Sequence, residues 1–163
     1  MSKNKVVAII PSRLESSRLP RKALADICGL PMVVHVFKRC QYAKSLDKVF
    51  VATDNEEIFD IVEKYGGEAL MTSSHHENGT ERIAEAAKDI NADIIVNVQG
   101  DEALVNPIHI DSAVNSLIED ENINISILIN KFSKKNSTGD IKAVIDENNN
   151  IMYLSRSDIP SNA

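Results

Sequence analysis

The chain has 163 residues, 43% of them hydrophobic and 26% charged, a balance that fits one globular domain with a core of its own. Its net charge of −6, with three Tyr, four Phe and no Trp, argues against nucleic-acid partners, which call for positive faces and stacking aromatics. No apolar stretch approaches the ~18 residues that span a bilayer, and the first apolar run is too short for a signal peptide, so membrane insertion is not expected and a cytoplasmic location is.

The elements read in chain order as follows. Residues 5–10, KVVAII, form a buried strand, and 31–43, PMVVHVFKRCQYA, an amphipathic helix with Pro31 in its first turn. On that helix Met32 and His35 are expected as packing residues, and the two cysteines, Cys28 and Cys40, as free thiols. A second strand covers 48–54, and Asp54 or Asn55 can cap the helix that follows, which ends at Gly66-Gly67. A third strand spans 68–73, and a helix over 79–90 opens with Thr80 as its candidate cap. Residues 93–104 hold a fourth strand and a polar turn, Pro107 starts a helix to about Glu119, and 124–132 reads as another strand. The segment 142–160 has the pattern of a hairpin around the turn ENNN.

Strands alternating with helices predict an α/β fold, a Rossmann-like, mostly parallel sheet with helices on both faces in three αβα layers. Ligands in such folds gather beyond the carboxyl ends of the strands. Three of those ends carry polar chemistry here, at 11–22, 72–82 and 99–102.

The first of them, PSRLESSRLPRKAL (11–24), crowds Arg13, Arg18, Arg21 and Lys22 into an acidic chain. Ser16 and Ser17 supply a tight polar turn, and Pro20 stiffens the approach to Lys22. Glycine-rich phosphate loops are absent, so cations would do the anion binding: Arg by planar bidentate contact, Lys as a mobile point charge. A solvated basic loop accounts for the same residues, and position at a strand end is what favours an anion site. His75, His76 and Glu77 are consecutive and do not face one way, so a zinc site there is not expected.

IIPSRLESSRLPRKAL, followed by VATDNEEI, HHENGTERIAEA, IIVNVQGDEALV and YLSRSDIP, resembles the sugar-nucleotide cytidylyltransferases. Among them the chain is most similar to the 3-deoxy-manno-octulosonate cytidylyltransferases. The resemblance runs over nearly the whole chain and implies the nucleotide-diphospho-sugar transferase type of fold. It implies attack of the anomeric hydroxyl of 3-deoxy-manno-octulosonate (Kdo) on the α-phosphorus of CTP, with release of pyrophosphate, for lipopolysaccharide assembly. It places Arg13 and Lys22 on the β- and γ-phosphates, adds Arg18 there, and makes Asp101 a Mg²⁺ ligand. Ser12 and Ser17 complete the first loop's substrate contacts. Thr72 and Ser73 stand near the cytosine, Gly79 and Thr80 line the pocket with Arg82 in support, and Gln99 and Gly100 meet the ribose, base or sugar.

The same resemblance marks departures. The family commonly has Gly where Arg21 stands, Pro where Ala23 stands, and Pro where Ala103 stands. Its members are about half as long again, which implies a chain incomplete at its C-terminus, lacking a second metal-binding Asp and much of the sugar-binding surface. The 142–160 hairpin would lead toward the sugar pocket and a homodimer contact. Two other readings therefore stay open: transfer to another acidic or amino-substituted sugar, and a CTP-binding or assembly domain without turnover.

Overall fold

The apolar run Val6–Ile10 is buried from every side, and the architecture follows from that. The structure, a computed structural model, describes residues 4–16, 19–131, 133 and 136–160; the expected ligands Ser17 and Arg18 lie outside them. The chain divides into two compact units, Met1–Ser126 and Ile127–Ala163.

In the first unit, strand β1 (Val6–Ser12) is followed by a 3₁₀ turn at Lys22–Leu24 and a short hairpin, β2 (Asp26–Ile27) with β3 (Leu30–Pro31). Helix α1 (Met32–Cys40), strand β4 (Lys48–Thr53), helix α2 (Glu56–Lys64) and strand β5 (Glu68–Met71) come next. Helix α3 (Gly79–Ala87), strand β6 (Ile94–Asn97) and helix α4 (Pro107–Glu119) complete it. The four long strands form a parallel sheet in the order β5-β4-β1-β6.

Residues of β1 alternate between the two faces. Ala8 and Ile10 pack with Val33, Val34 and Phe37 of α1, Ile58 and Val62 of α2, and Ile110 of α4. Val7 and Ile9 pack on the opposite face with Ile83 and Ala86 of α3. The expected α/β sheet with helices on both faces is therefore what the chain forms. Two aspartates secure the start of β1: Asp47 Oδ2 accepts the Val6 N–H at 2.9 Å and Asp93 Oδ2 the Lys5 N–H at 2.7 Å.

β1 pairs with β4 from Val7↔Lys48 to Ser12↔Thr53, but with β6 only from Val6↔Ile94 to Ile9↔Asn97. Since β4 continues toward β5 and β6 lies on the other side, the strand order reverses at β1, and beyond Ile9 a gap opens between β1 and β6. That is the crevice in which ligands of doubly wound sheets sit.

Several boundaries differ from expectation for local reasons. Asn55, not Asp54, caps α2, its Oδ1 accepting the Glu57 and Ile58 N–H groups at 3.1 and 3.2 Å. Asn78, not Thr80, caps α3, its Oδ1 accepting the Glu81 N–H at 3.0 Å. Thr80 is the second residue of that helix and exposed. The β2–β3 hairpin turns on Cys28 and Gly29, both in left-handed conformation (φ 52° and 89°), the geometry of a two-residue primed turn.

In the second unit, β7 (Lys142–Ile145) pairs antiparallel with β8 (Ile151–Ser155), and Asp146 ties the intervening turn by accepting from Asn148, Asn149 and Asn150. Residues 124–131 are not a strand, although Ile125, Ile127, Leu128 and Ile129 have the required apolarity. All four are exposed, and no ladder of backbone hydrogen bonds supports them among the described residues. Residue 132 of that expected strand is outside the described residues. No helix among the described residues is long and apolar enough to cross a membrane.

The junction of α2 and β5 is packed to its limit. Gly66 takes the left-handed φ of 79° that ends the helix, and a Cβ on Gly67 would lie 2.7 Å from Val62 Cγ1 and 3.2 Å from Phe37 Cζ. Gly67→Ala should destabilise the protein by about 1–3 kcal/mol, the usual cost of overfilling a core, read as a shift in the urea midpoint at unchanged slope.

Candidate functional site

A cleft of about 250 Å³ opens where β1 and β6 part. Its lining comes mainly from the three strand-end segments: Pro11 to Arg13, Glu15, Ser16 and Lys22 after β1, His76, Asn78, Gly79 and Arg82 around the start of α3, and Gln99, Gly100 and Asp101 after β6. Two glycines bring these segments together. A Cβ on Gly100 would stand 2.6 Å from the Pro11 carbonyl oxygen, and one on Gly79 3.0 Å from Pro11 Cγ. Only hydrogen fits at the first position, which is why the turn after β6 can lie against the end of β1.

β1 delivers Ser12 into the floor. Its hydroxyl is buried and has no hydrogen-bond partner among the described residues, an arrangement that costs about 1–3 kcal/mol unless a ligand or water supplies one. Arg13 follows on the exposed rim. The 3₁₀ turn then sets Lys22 across the cleft from Asp101, Nζ to Oδ2 at 2.5 Å. Asp101 sits in a tight turn closed by the Glu102 N–H on the Gln99 carbonyl at 3.1 Å. Gln99 donates its side-chain N–H to Asn97 Oδ1 at 2.8 Å, which leaves its carbonyl oxygen for the cleft. The cleft thus holds an internal ion pair made of the residues expected to grip a phosphate and a cation.

Arg21 does not join them. It occupies the position before the 3₁₀ turn with φ 56°, a left-handed conformation that glycine adopts without strain, and its guanidinium pairs with Glu57 of α2. The charge expected near the phosphates is turned away from the cleft. Ala23 is buried and lines the cleft, and Ala103 packs against the core.

The third wall is braced from beneath. Arg82 is almost wholly buried, and its guanidinium donates to Asp54 Oδ2 at 2.8 Å, Thr72 Oγ1 at 2.5 Å and the Ser73 carbonyl at 3.3 Å. Thr72 Oγ1 in turn donates to the Thr53 carbonyl at 3.1 Å. One helical turn on, the Glu85 carboxylate accepts the Ser73 N–H at 3.0 Å and meets His76 Nε2. Ser73 is therefore held by its carbonyl and by its amide from two side chains of the same helix. The expected ligands Thr72 and Ser73 belong to this brace and not to the lining, and Thr80 also lies outside it. Met71 is half exposed, so it is no core residue.

Of the residues expected from sequence, Ser12, Arg13, Lys22, Gly79, Arg82, Gln99, Gly100 and Asp101 meet in one cleft. Sequence reasoning named no individual task for His76, Glu85, Asn78 or Pro11, and read Asp54 only as a cap. The Arg82–Glu85 spacing, i to i+3 on one helix face, was the available signal for the brace. No cluster of three or more His, Cys, Asp or Glu suited to a metal exists among the described residues.

The hydrogen bond with His76, and then that from the Ser73 amide, hold the Glu85 carboxyl below its usual range. A group whose folded value is depressed stabilises the fold above its unfolded value, and that stability is lost as pH falls through the folded one. On acidification below about pH 4–5, the wild-type chain should therefore lose stability more steeply than Glu85→Gln, measured as urea midpoints across a pH series.

The family described as Cytidylyltransferase matches residues 7–163. The 3-deoxy-manno-octulosonate cytidylyltransferase of Geobacter metallireducens is 45% identical over 160 residues, 96% of this chain and 63% of its own length. That of Chlorobium limicola is 42% identical over 159 residues, 94% of this chain and 64% of its own length. This chain thus spans a little under two thirds of these curated relatives. Among solved structures, a CMP:2-keto-3-deoxy-manno-octonic acid synthetase complexed with CTP superposes with a TM-score of 0.85 at 32% identity, covering 97% of this chain and 66% of that one. A nucleotidyl transferase from Methanothermobacter thermautotrophicus, 17% identical with a TM-score of 0.62, shares the fold. The chain belongs to the cytidylyltransferase family.

Proposed function

We propose that the cleft binds CTP and that the protein transfers CMP to the anomeric hydroxyl of 3-deoxy-manno-octulosonate, releasing pyrophosphate, in the cytoplasm. The observation that carries this reading is the Lys22–Asp101 pair in a cleft at the strand-order reversal, with Arg13 on its rim. A triphosphate supplies the anion that Lys22 lacks once it leaves Asp101, and Arg13 adds a planar donor pair for neighbouring phosphate oxygens. Gln99 and the buried Ser12 hydroxyl offer hydrogen bonds to the polar remainder of the ligand.

Asp101 is also the residue that would hold Mg²⁺. A lone carboxylate on an exposed turn fits a hard cation that takes its other ligands from phosphate oxygens and water. Bound there, the ion would neutralise phosphate charge and help align the α-phosphorus. The residues of the chain supply position: the attacking hydroxyl and the leaving pyrophosphate must lie in line, and Lys22 and Arg13 stabilise charge on the departing group. The acidic sugar is assigned from the names of the relatives at 42–45% identity. We also propose that two copies associate through the hairpin, whose Met152, Tyr153 and Leu154 are exposed.

A second reading, nucleotide binding without turnover, is favoured by Arg21, whose left-handed backbone and pairing with Glu57 take its charge away from the cleft. Calorimetry with CTP and Mg²⁺ tests the first step. Saturable binding is expected, weakened about 10-fold or more by Lys22→Ala and by Asp101→Asn, as befits charge-assisted contacts. Absence of binding, or equal affinity for ATP, overturns the assignment. Pyrophosphate release then separates the readings: wild type faster than Asp101→Ala supports transfer, and equal rates support binding alone. Sedimentation should show a dimer that Met152→Glu dissociates, whereas a monomer at high concentration removes the self-association.

A further inference from the structure

One polar group in the wall of the cleft has no task in holding phosphate or cation. His76 lines the cleft beside Asn78 and Gly79, with its side chain 18% exposed. Its Nε2 meets the Glu85 carboxylate, which also takes the Ser73 N–H. The same hydrogen bonds hold the Glu85 carboxyl below its usual range, so it is ionised at neutral pH and can only accept. Nε2 must then carry a proton, and whenever the ring is neutral Nδ1 is an acceptor. Among the described residues Nδ1 has no hydrogen-bond partner.

An acceptor nitrogen is a poor partner for a phosphate or carboxylate oxygen and a good one for an O–H. The cleft already has Arg13 and Lys22 as cationic donors for anionic oxygens. We propose that His76 is a binding residue for a sugar hydroxyl, its Nδ1 accepting the O–H while Glu85 fixes the tautomer and the plane of the ring. This rests on the nucleotide reading of the cleft. The hydroxyl belongs to the ribose of the nucleotide or to the acceptor sugar; both present the same group. A role confined to stapling the loop before α3 would cost stability and leave ligand preference unchanged.

The experiment pairs protein and ligand deletions. Wild type and His76→Ala are titrated calorimetrically with CTP, 2′-deoxy-CTP and 3′-deoxy-CTP, and then, loaded with CTP, with 3-deoxy-manno-octulosonate. If the ribose is the partner, one deoxynucleotide binds wild type about 5–10-fold more weakly than CTP, the worth of one hydrogen bond, and His76→Ala binds it and CTP alike. If the acceptor sugar is the partner, only its binding falls in the variant, by a similar factor. ¹⁵N spectra of the imidazole in wild type provide a readout that needs no variant to fold. They should show a protonated Nε2 and a bare Nδ1 in the neutral ring, with the Nδ1 signal moving on saturation with the coupled ligand. A ring protonated at Nδ1, or equal losses for every ligand in both proteins, overturns the proposal while leaving CTP binding intact. Failure of wild type to bind CTP overturns the nucleotide reading and this one together.

Discussion

Val6–Ile10 has β4 and β6 hydrogen-bonded along its edges and helices against both its faces, so this strand can neither tilt nor slip without unpacking the whole first unit. Its carboxyl end is correspondingly fixed, and the cleft is assembled on that end. Pairing with β6 stops at Ile9 while pairing with β4 runs on to Ser12, and the resulting gap admits the turn of Asp101 on one side and the start of α3 on the other. The geometry of the site is therefore inherited from core packing. Bulky apolar residues in the layers hold the polar residues at the rim in register.

Charge in the site is handled in two different ways. Arg82 and Asp54 form a permanent pair: the guanidinium is buried and makes three hydrogen bonds, so removing its partner would leave an uncompensated buried charge. Lys22 and Asp101 lie at the surface of the cleft, where solvent screens them and where exchanging partners costs little. The first pair is scaffolding for the loop that carries His76. The second is replaceable, and an incoming anion with its counter-cation can take up both members without leaving either charge alone.

What could be read from the chain followed the range of the interaction involved. The strand–helix alternation and the three polar strand ends are local patterns, and they identified the sheet and its crevice, while the family resemblance supplied most of the eight expected residues that meet in the cleft. Local competition between neighbours was harder to judge: Asn78 and Thr80 are both good caps, and the backbone settles on Asn78, whose amide also donates to Glu81. The 124–131 segment has strand composition, but a strand requires a partner edge, which composition does not supply. The pairings Arg21–Glu57, Asp54–Arg82 and His76–Glu85 join residues that are adjacent only after the sheet order is set. The left-handed backbone at Arg21 and Cys28 was hidden for a different reason: both are residue types that ordinarily avoid it.

The tight meeting of Pro11, Gly79 and Gly100 also limits how such a site can diversify. With no space for even a methyl group beside the Pro11 carbonyl, the floor offers no room in which larger or smaller side chains could be exchanged to suit a different ligand. Changes of preference have to arise in the walls, along residues 13–16 and 73–78, where Arg13, Glu15, Ser74, His75, Glu77 and Asn78 are exposed. A lineage adapting this scaffold to new sugars would keep its floor almost unchanged and write its differences into those two loops.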